Sequence, residues 1–146
     1  MKKILSRCLT LSTLLIFVLS SSQFSLAQEE DTALEGTNWQ LLNMKVLGGF
    51  LFTPIDPSKY RLNFRSENRL TGTSDCNTIT GSYFQESTGF RFEPFVSTRK
   101  LCPPGSLHNN LALILKDVNA IEFRDGKMYM TNGYDGVELE FEERDF

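Results

Sequence analysis

From Tyr60 onward, apolar and polar residues alternate along much of the chain with a period of two. Tyr60, Leu62 and Phe64 alternate with Arg61, Asn63 and Arg65, and Phe90 and Phe92 with Arg91 and Glu93. Ile121 and Phe123 alternate with Glu122 and Arg124, and Val137, Leu139 and Phe141 with Glu138, Glu140 and Glu142. Successive side chains of a strand point to opposite faces, so each run predicts a strand with one dry and one wet face. Turn formers separate the runs: Ser66-Glu67-Asn68, Glu86-Ser87-Thr88-Gly89, Asp125-Gly126, Asn132-Gly133 and Asp135-Gly136. Asp125-Gly126 is the strongest two-residue hairpin signal, because both residues tolerate the positive φ such a turn needs. Strands this closely spaced predict an antiparallel, meandering sheet or barrel.

One segment has a different period. Ser106 is placed to cap a helix, and Leu107, Leu111, Ile114, Leu115 and Val118 then form a single apolar stripe, the mark of a helix lying on a core. Leu113 falls off that stripe, which implies a wide, deeply covered face. The architecture expected is many strands around one helix, mainly β in class (α+β).

The N-terminus changes the picture of where this domain works. Lys2, Lys3 and Arg7 precede an uncharged stretch from Cys8 to Leu19, and Ser25-Leu26-Ala27 puts small residues where a signal peptidase reads. This predicts a secretory signal peptide over residues 1–27, a short acidic tail at 28–33 and one domain over 34–146. A membrane-spanning helix needs about 20 apolar residues, and this core is shorter. Cys8 precedes the core, so a lipoprotein anchor is not expected. The product would be periplasmic or secreted, with no transmembrane segment once the signal is removed. The whole chain carries a formal charge of −3, and losing Lys2, Lys3 and Arg7 makes it more acidic. That balance argues against nucleic acid and anionic lipid, which require phosphate-neutralising cations.

Export leaves Cys76 and Cys102, most simply read as one disulfide in an oxidising compartment. Such a staple contributes roughly 3–4 kcal/mol in the chain-entropy model. A metal pair or a catalytic thiol are the competing readings. Two Cys and His108 fall short of a four-ligand zinc site, and a lone His is usually a surface residue.

The run Gly72-Thr73-Ser74-Asp75-Cys76-Asn77-Thr78-Ile79-Thr80-Gly81-Ser82-Tyr83 resembles the G-T-x-G-C-N-x-[aromatic]-x-G-x-Y signature of the META domain family, which includes HslJ-like bacterial envelope proteins. Gly36-Thr37-Asn38-Trp39-Gln40-Leu41 is similar to its opening strand, and Ser97-Thr98-Arg99-Lys100-Leu101-Cys102 to its S-T-x-x-x-C segment. The resemblance covers about Leu34 to Glu143. It departs at Asp75, where the family usually has Gly, at Ile79 for an aromatic, and at Asn109-Asn110 near a usual helix Glu. What it implies is a cracked β-barrel packed around one α-helix, an envelope location, and links to envelope stress, drug tolerance and secretion, with no agreed enzymatic activity.

Candidate chemistry is sparse. Asn77, beside the Cys, can hydrogen-bond its own backbone and hold a tight turn, and Asn77, Gly81 and Tyr83 form the motif turn. Trp39 reads as core. Glu138, Glu140 and Glu142 read as a solvated, aggregation-resistant edge. No nucleophile elbow, zinc-protease, phosphate-loop or calcium-loop pattern occurs, so no catalytic residue, metal site or cofactor is expected. The odd stretch runs from Gly48 to Pro57, where Phe50, Leu51, Phe52 and Ile55 sit between breakers. These four either close one end of a barrel or form an exposed binding lip. Extended neighbours point to opposite faces, so Phe50, Leu51 and Phe52 cannot all be buried. The function expected is a non-catalytic exported binding or chaperone-like module, monomeric, whose partner is an envelope protein, a peptide or a lipid. The alternative is a purely structural or stress-protective protein without a ligand site. A small outer-membrane barrel is excluded by short strands and an interrupting helix.

Overall fold

The alternating runs become strands of one curled antiparallel sheet in the computed structural model, which describes residues 34–86, 89–133 and 136–146. The expected signal peptide and acidic tail lie outside the described residues, as do Ser87, Thr88 and Asp135 of two expected turns. In chain order the elements are β1 (Asn38–Lys45), β2 (Leu51–Phe52), β3 (Tyr60–Arg65), β4 (Arg69–Ser74), β5 (Asn77–Glu86), β6 (Gly89–Phe92) and β7 (Val96–Ser97). There follow α1 (His108–Leu115), β8 (Ala120–Arg124), β9 (Lys127–Thr131) and β10 (Glu138–Glu143).

Across the sheet the order is β6-β5-β4-β3-β1-β10-β9-β8, with β2 beside β1 and β7 beside β5. The sheet curls until its two ends approach. There the Phe90 N–H, in β6, donates to the C=O of Asn119, just before β8, at 3.4 Å. The result is a nearly closed barrel.

Turn chemistry sets the registers. Asp125 and Gly126 adopt φ of 51° and 73° and join β8 to β9 with Arg124 opposite Lys127. At the β4–β5 junction Ser74 faces Asn77, so Asp75 and Cys76 alone make the turn, with Asp75 at φ 56°. Aspartate tolerates that left-handed conformation better than most residues, which is why the turn survives without glycine. β1 shifts register between Leu41 and Asn43. The irregularity changes the phase of the strand, so Trp39, Leu41 and Met44 all reach the core despite the odd spacing.

The core holds Phe64, Phe141, Leu62, Leu70, Met128 and Met130, all essentially without solvent contact. Phe64 meets Tyr83 edge-on at 4.9 Å between ring centroids, and Phe90 meets Phe92 likewise at 4.9 Å. Trp39 is also core, its indole Nε1 donating to Thr37 Oγ1 at 2.6 Å. α1 adds Leu111 and Leu115 to the same cluster. Leu107, not the expected Ser106, is the N-cap of α1, and no side chain caps the helix. Ser106 Oγ accepts from the His108 N–H at 3.3 Å, and the Tyr60 hydroxyl accepts from the Leu107 N–H at 2.9 Å, tying the start of the helix to β3.

Three further expectations are corrected. Leu113 is exposed rather than part of a wide covered face, because two residues along a helix is about 200° around it from both Leu111 and Leu115. β10 is not an edge: it lies between β1 and β9, and its outward glutamates meet cross-strand partners. Lys127 Nζ and Asn43 Nδ2 donate to Glu140 at 2.6 and 2.8 Å, and Arg124 donates to Glu138 at 2.8 Å. His108 is not a surface residue but only 8 % exposed; as the first residue of α1 it is carried inward with Leu111 one turn later.

Candidate functional site

Two neighbouring structures carry the residues singled out in the sequence. The first is a bracket. Cys76 and Cys102 are joined, with S–S 2.06 Å, and fasten the segment before α1 to the β4–β5 turn. Asn77 does not bond to its own backbone, as a tight turn would have it. Its Oδ1 accepts from Thr98 Oγ1 and from the Lys100 N–H, both at 2.8 Å. Its Nδ2 donates to the Lys100 C=O at 3.2 Å and to Cys102 Sγ at 3.1 Å. A buried polar side chain is costly unless its bonds are made, and the segment that follows β7 makes them. Thr98 closes the bracket with an N–H donated to the Thr78 C=O at 3.1 Å.

Gly81 and Tyr83 lie along β5 rather than in a turn. Gly81 is required by a close approach: a Cβ there would stand 2.5 Å from Phe95 Cβ. Tyr83 is buried between Phe64 and Phe90, and burial raises the pKa of its phenol. Gly81 thus lets β5 and the segment leading to β7 lie together, while Tyr83 packs β5 against β3 and β6.

The second structure is the lip. Val46 to Phe50 form a tight turn, with Gly48 and Gly49 at φ 85° and 79°, and β2 returns along β1 with Phe52 opposite Met44. Phe50 is 67 %, Leu51 63 %, Phe52 37 % and Ile55 89 % exposed. These side chains therefore do not close the barrel end. Leu47 is exposed beside them. The backbone is nevertheless held: the Val46 N–H donates to the Phe50 C=O at 3.0 Å, and Thr53 Oγ1 to Asn43 Oδ1 at 2.8 Å.

Between bracket and helix runs a groove of about 810 Å³, with the Phe95–Lys100 segment along one side and the outer face of α1 on the other. The lip adjoins it, since Ile55 Cδ1 would lie 3.4 Å from a Cβ on Gly105, a groove residue. No reading of the sequence singled out this groove. The signal was present: from Phe95 to Lys116 the chain contains Arg99, Lys100 and Lys116 but no Asp or Glu. What the sequence did not contain was the juxtaposition of that segment with α1.

The comparisons agree with this architecture. Residues 32–146 match the model of the META domain. Among solved structures, a protein from Burkholderia xenovorans superposes with a TM-score of 0.65 at 21% identity, covering 77% of this chain and 85% of its own. A duf4847 family protein from Bacteroides vulgatus superposes with a TM-score of 0.56 at 13% identity, covering 77% and 95%. No curated protein matches the chain. Identities this low show the fold alone, whereas the family model covers the paired cysteines, Asn77, the lip and the groove together. The chain belongs to the META domain family.

Proposed function

We propose that the protein is a non-catalytic binding module, exported to the cell envelope, which takes an apolar surface of a protein, peptide or lipid onto its Phe50–Ile55 lip. One observation carries this reading: Phe50, Leu51 and Ile55, large apolar residues of one short segment, are each mostly exposed. Leaving such side chains exposed forgoes about 1.5–3 kcal/mol apiece, and contiguous exposed apolar patches mark interaction sites. The turn bonds and the β1–β2 pairing hold the lip open in the absence of any partner, so little ordering cost remains to be met on binding. The disulfide is in keeping with an oxidising compartment. Among the described residues, no helix is long and apolar enough to cross a membrane. A role in envelope stress, drug tolerance or secretion, as in other members of the family, is compatible with such a module.

The test is retention from envelope extract on immobilised protein, followed by lipid and protein mass spectrometry, comparing wild type with a Phe50→Ser, Leu51→Ser variant. The variant is expected to lose the partners that the wild type retains. If it keeps every one of them, or if the wild type retains nothing specific, the structural or stress-protective reading stands instead.

A further inference from the structure

The groove beside the lip has a charge pattern that the apolar lip does not explain. Arg99, Lys100 and Lys116 line it, and no Asp or Glu does. In a chain with 18 acidic residues against 15 basic ones, such a concentration of unopposed cations is unusual. Elsewhere most cations are paired: Lys59 with Asp75, Arg69 with Glu67, Arg124 with Glu138, Lys127 with Glu140 and Arg144 with Glu142. Among the described residues, Arg99, Lys100 and Lys116 have no ion-pair partner.

The backbone adds a second feature. β7 pairs with β5 on one side only. The Thr98 N–H donates to Thr78 of β5, and alternate residues of an antiparallel strand direct their N–H and C=O to opposite edges. Ser97 therefore presents both of its backbone groups away from β5. Ser97 also lines the groove, and Arg99 and Lys100 follow it directly. A strand edge with free donors and acceptors is a template for an added strand. The bracket holds this edge in place through Asn77 and the disulfide.

We propose that the groove binds an acidic segment of another protein in extended form, added as a strand to the free edge of β7 with its carboxylates against Arg99, Lys100 and Lys116. Charge complementarity selects the occupant. The one-sided strand favours a peptide over a membrane surface, because a lipid headgroup layer brings no extended backbone to pair with Ser97. The proposal does not rest on the lip, which supplies none of these groups.

The probe is a capped octapeptide of alternating glutamate and threonine, titrated into the processed full-length protein and followed by backbone amide shifts. Binding is expected to perturb Ser97, Arg99, Lys100, Asn109 and Lys116, and to weaken as salt is raised. An Arg99→Glu, Lys100→Glu, Lys116→Glu variant should bind at least about tenfold more weakly, with its melting temperature and disulfide retained. Should that triple variant fail to fold, Lys116→Glu alone, on the outer face of α1, should weaken binding about threefold. Ser97→Pro, which removes the N–H from the edge, should weaken it as well. The Phe50→Ser, Leu51→Ser variant should keep the full peptide affinity, so the lip and the groove fail independently.

The proposal is overturned if the lysine–threonine counterpart binds equally well, or if the charge-reversed variants bind like wild type. Binding to phosphatidylglycerol vesicles in place of the peptide would also overturn it, as would self-association occupying the same residues.

Discussion

The lip and the bracket are neighbours that solve opposite problems. Both are irregular connections beside the barrel, and Gly105 and Ile55 bring them side by side. The bracket is covalently closed, and its buried Asn77 has both ends of its amide bonded. The lip has only a two-residue strand and a few turn bonds, yet carries a large apolar load, most of it turned outward. The bracket thus uses polar and covalent links to fix backbone in place where little apolar area can be buried. The lip keeps its backbone in place by local geometry and leaves its apolar area for another surface. The bracket's residues should therefore matter to stability and the lip's to binding.

The sharpest way to break this contrast is to open the bracket. Replacing Cys76 and Cys102 together by Ser releases a link between positions separated by 26 residues, and should cost about 2–4 kcal/mol. Urea unfolding of oxidised wild type against the double variant measures it. A loss well below about 1 kcal/mol would mean that Asn77 and the strand pairing hold the bracket without the disulfide. Next in size is Asn77→Ala, which strands the Lys100 N–H and C=O and the Thr98 hydroxyl. Each such group costs about 1–3 kcal/mol if it stays buried. Thr98 and Lys100 are exposed enough for water to replace part of the loss, so a total of about 1–3 kcal/mol is expected. The same variant should also loosen the β7 edge, seen as faster amide exchange at Thr98 and Lys100. Unchanged exchange there would separate Asn77 from the edge it is argued to hold.

A smaller effect comes from His108, on the groove side of the bracket. Burial lowers its pKa from the ordinary 6.5, while the charge on Asp75 opposes that shift. Its Nδ1 is buried without a hydrogen-bond partner. With the folded pKa below the unfolded one, the unfolded chain takes up the proton first as pH falls. Stability from a neutral His108 is therefore fully present above pH 6.5 and declines below it, until the folded pKa is passed. Glu140, whose carboxyl is held below its ordinary 4.5 by Lys127 and Asn43, loses its contribution only at more acidic pH. Unfolding free energy measured from pH 7 to 5 should fall in wild type and fall less in His108→Gln. Parallel profiles would place the proton elsewhere.

The bracket and the lip were also unequally legible in the sequence. Alternation located β3, β6, β8 and β10, and Asp125-Gly126 located a hairpin, because these are local consequences of pleat and turn geometry. The cysteine pairing followed from the export that the N-terminal pattern predicts. The partners of Asn77 were out of reach, since Thr98 and Lys100 approach it only once β7 lies beside β5. The same is true of Gly81, whose missing Cβ is explained by Phe95. β10 read as an edge because a row of glutamates looks the same whether water or the cations of the next strand face it. The groove depends on the placement of α1 against a loop, and a stripe of leucines says which face is buried but not what the opposite face borders.

The last prediction concerns the lip alone, and its expected effect on stability is the smallest. Phe50 and Leu51 are each more than three-fifths exposed, so changing both to Ser removes little buried area. Surface changes of this kind usually fall within about 0.5 kcal/mol of zero each. The bonds that shape the lip are backbone ones, from the Val46 N–H to Phe50 and from the Gly49 N–H to Val46, both at 3.0 Å, and serine leaves them intact. Phe64→Ala offers the opposite case in the same sheet, since Phe64 is fully buried and such a truncation costs about 3–5 kcal/mol. Thermal unfolding should therefore show the lip variant close to wild type and the core variant far below it. A lip variant that melted far below wild type would mean that Phe50 and Leu51 pack inward in solution, and the contrast between a fixed bracket and an available lip would be lost. A variant that melts normally but no longer retains the wild-type partners would place the free energy of those two side chains at the interface.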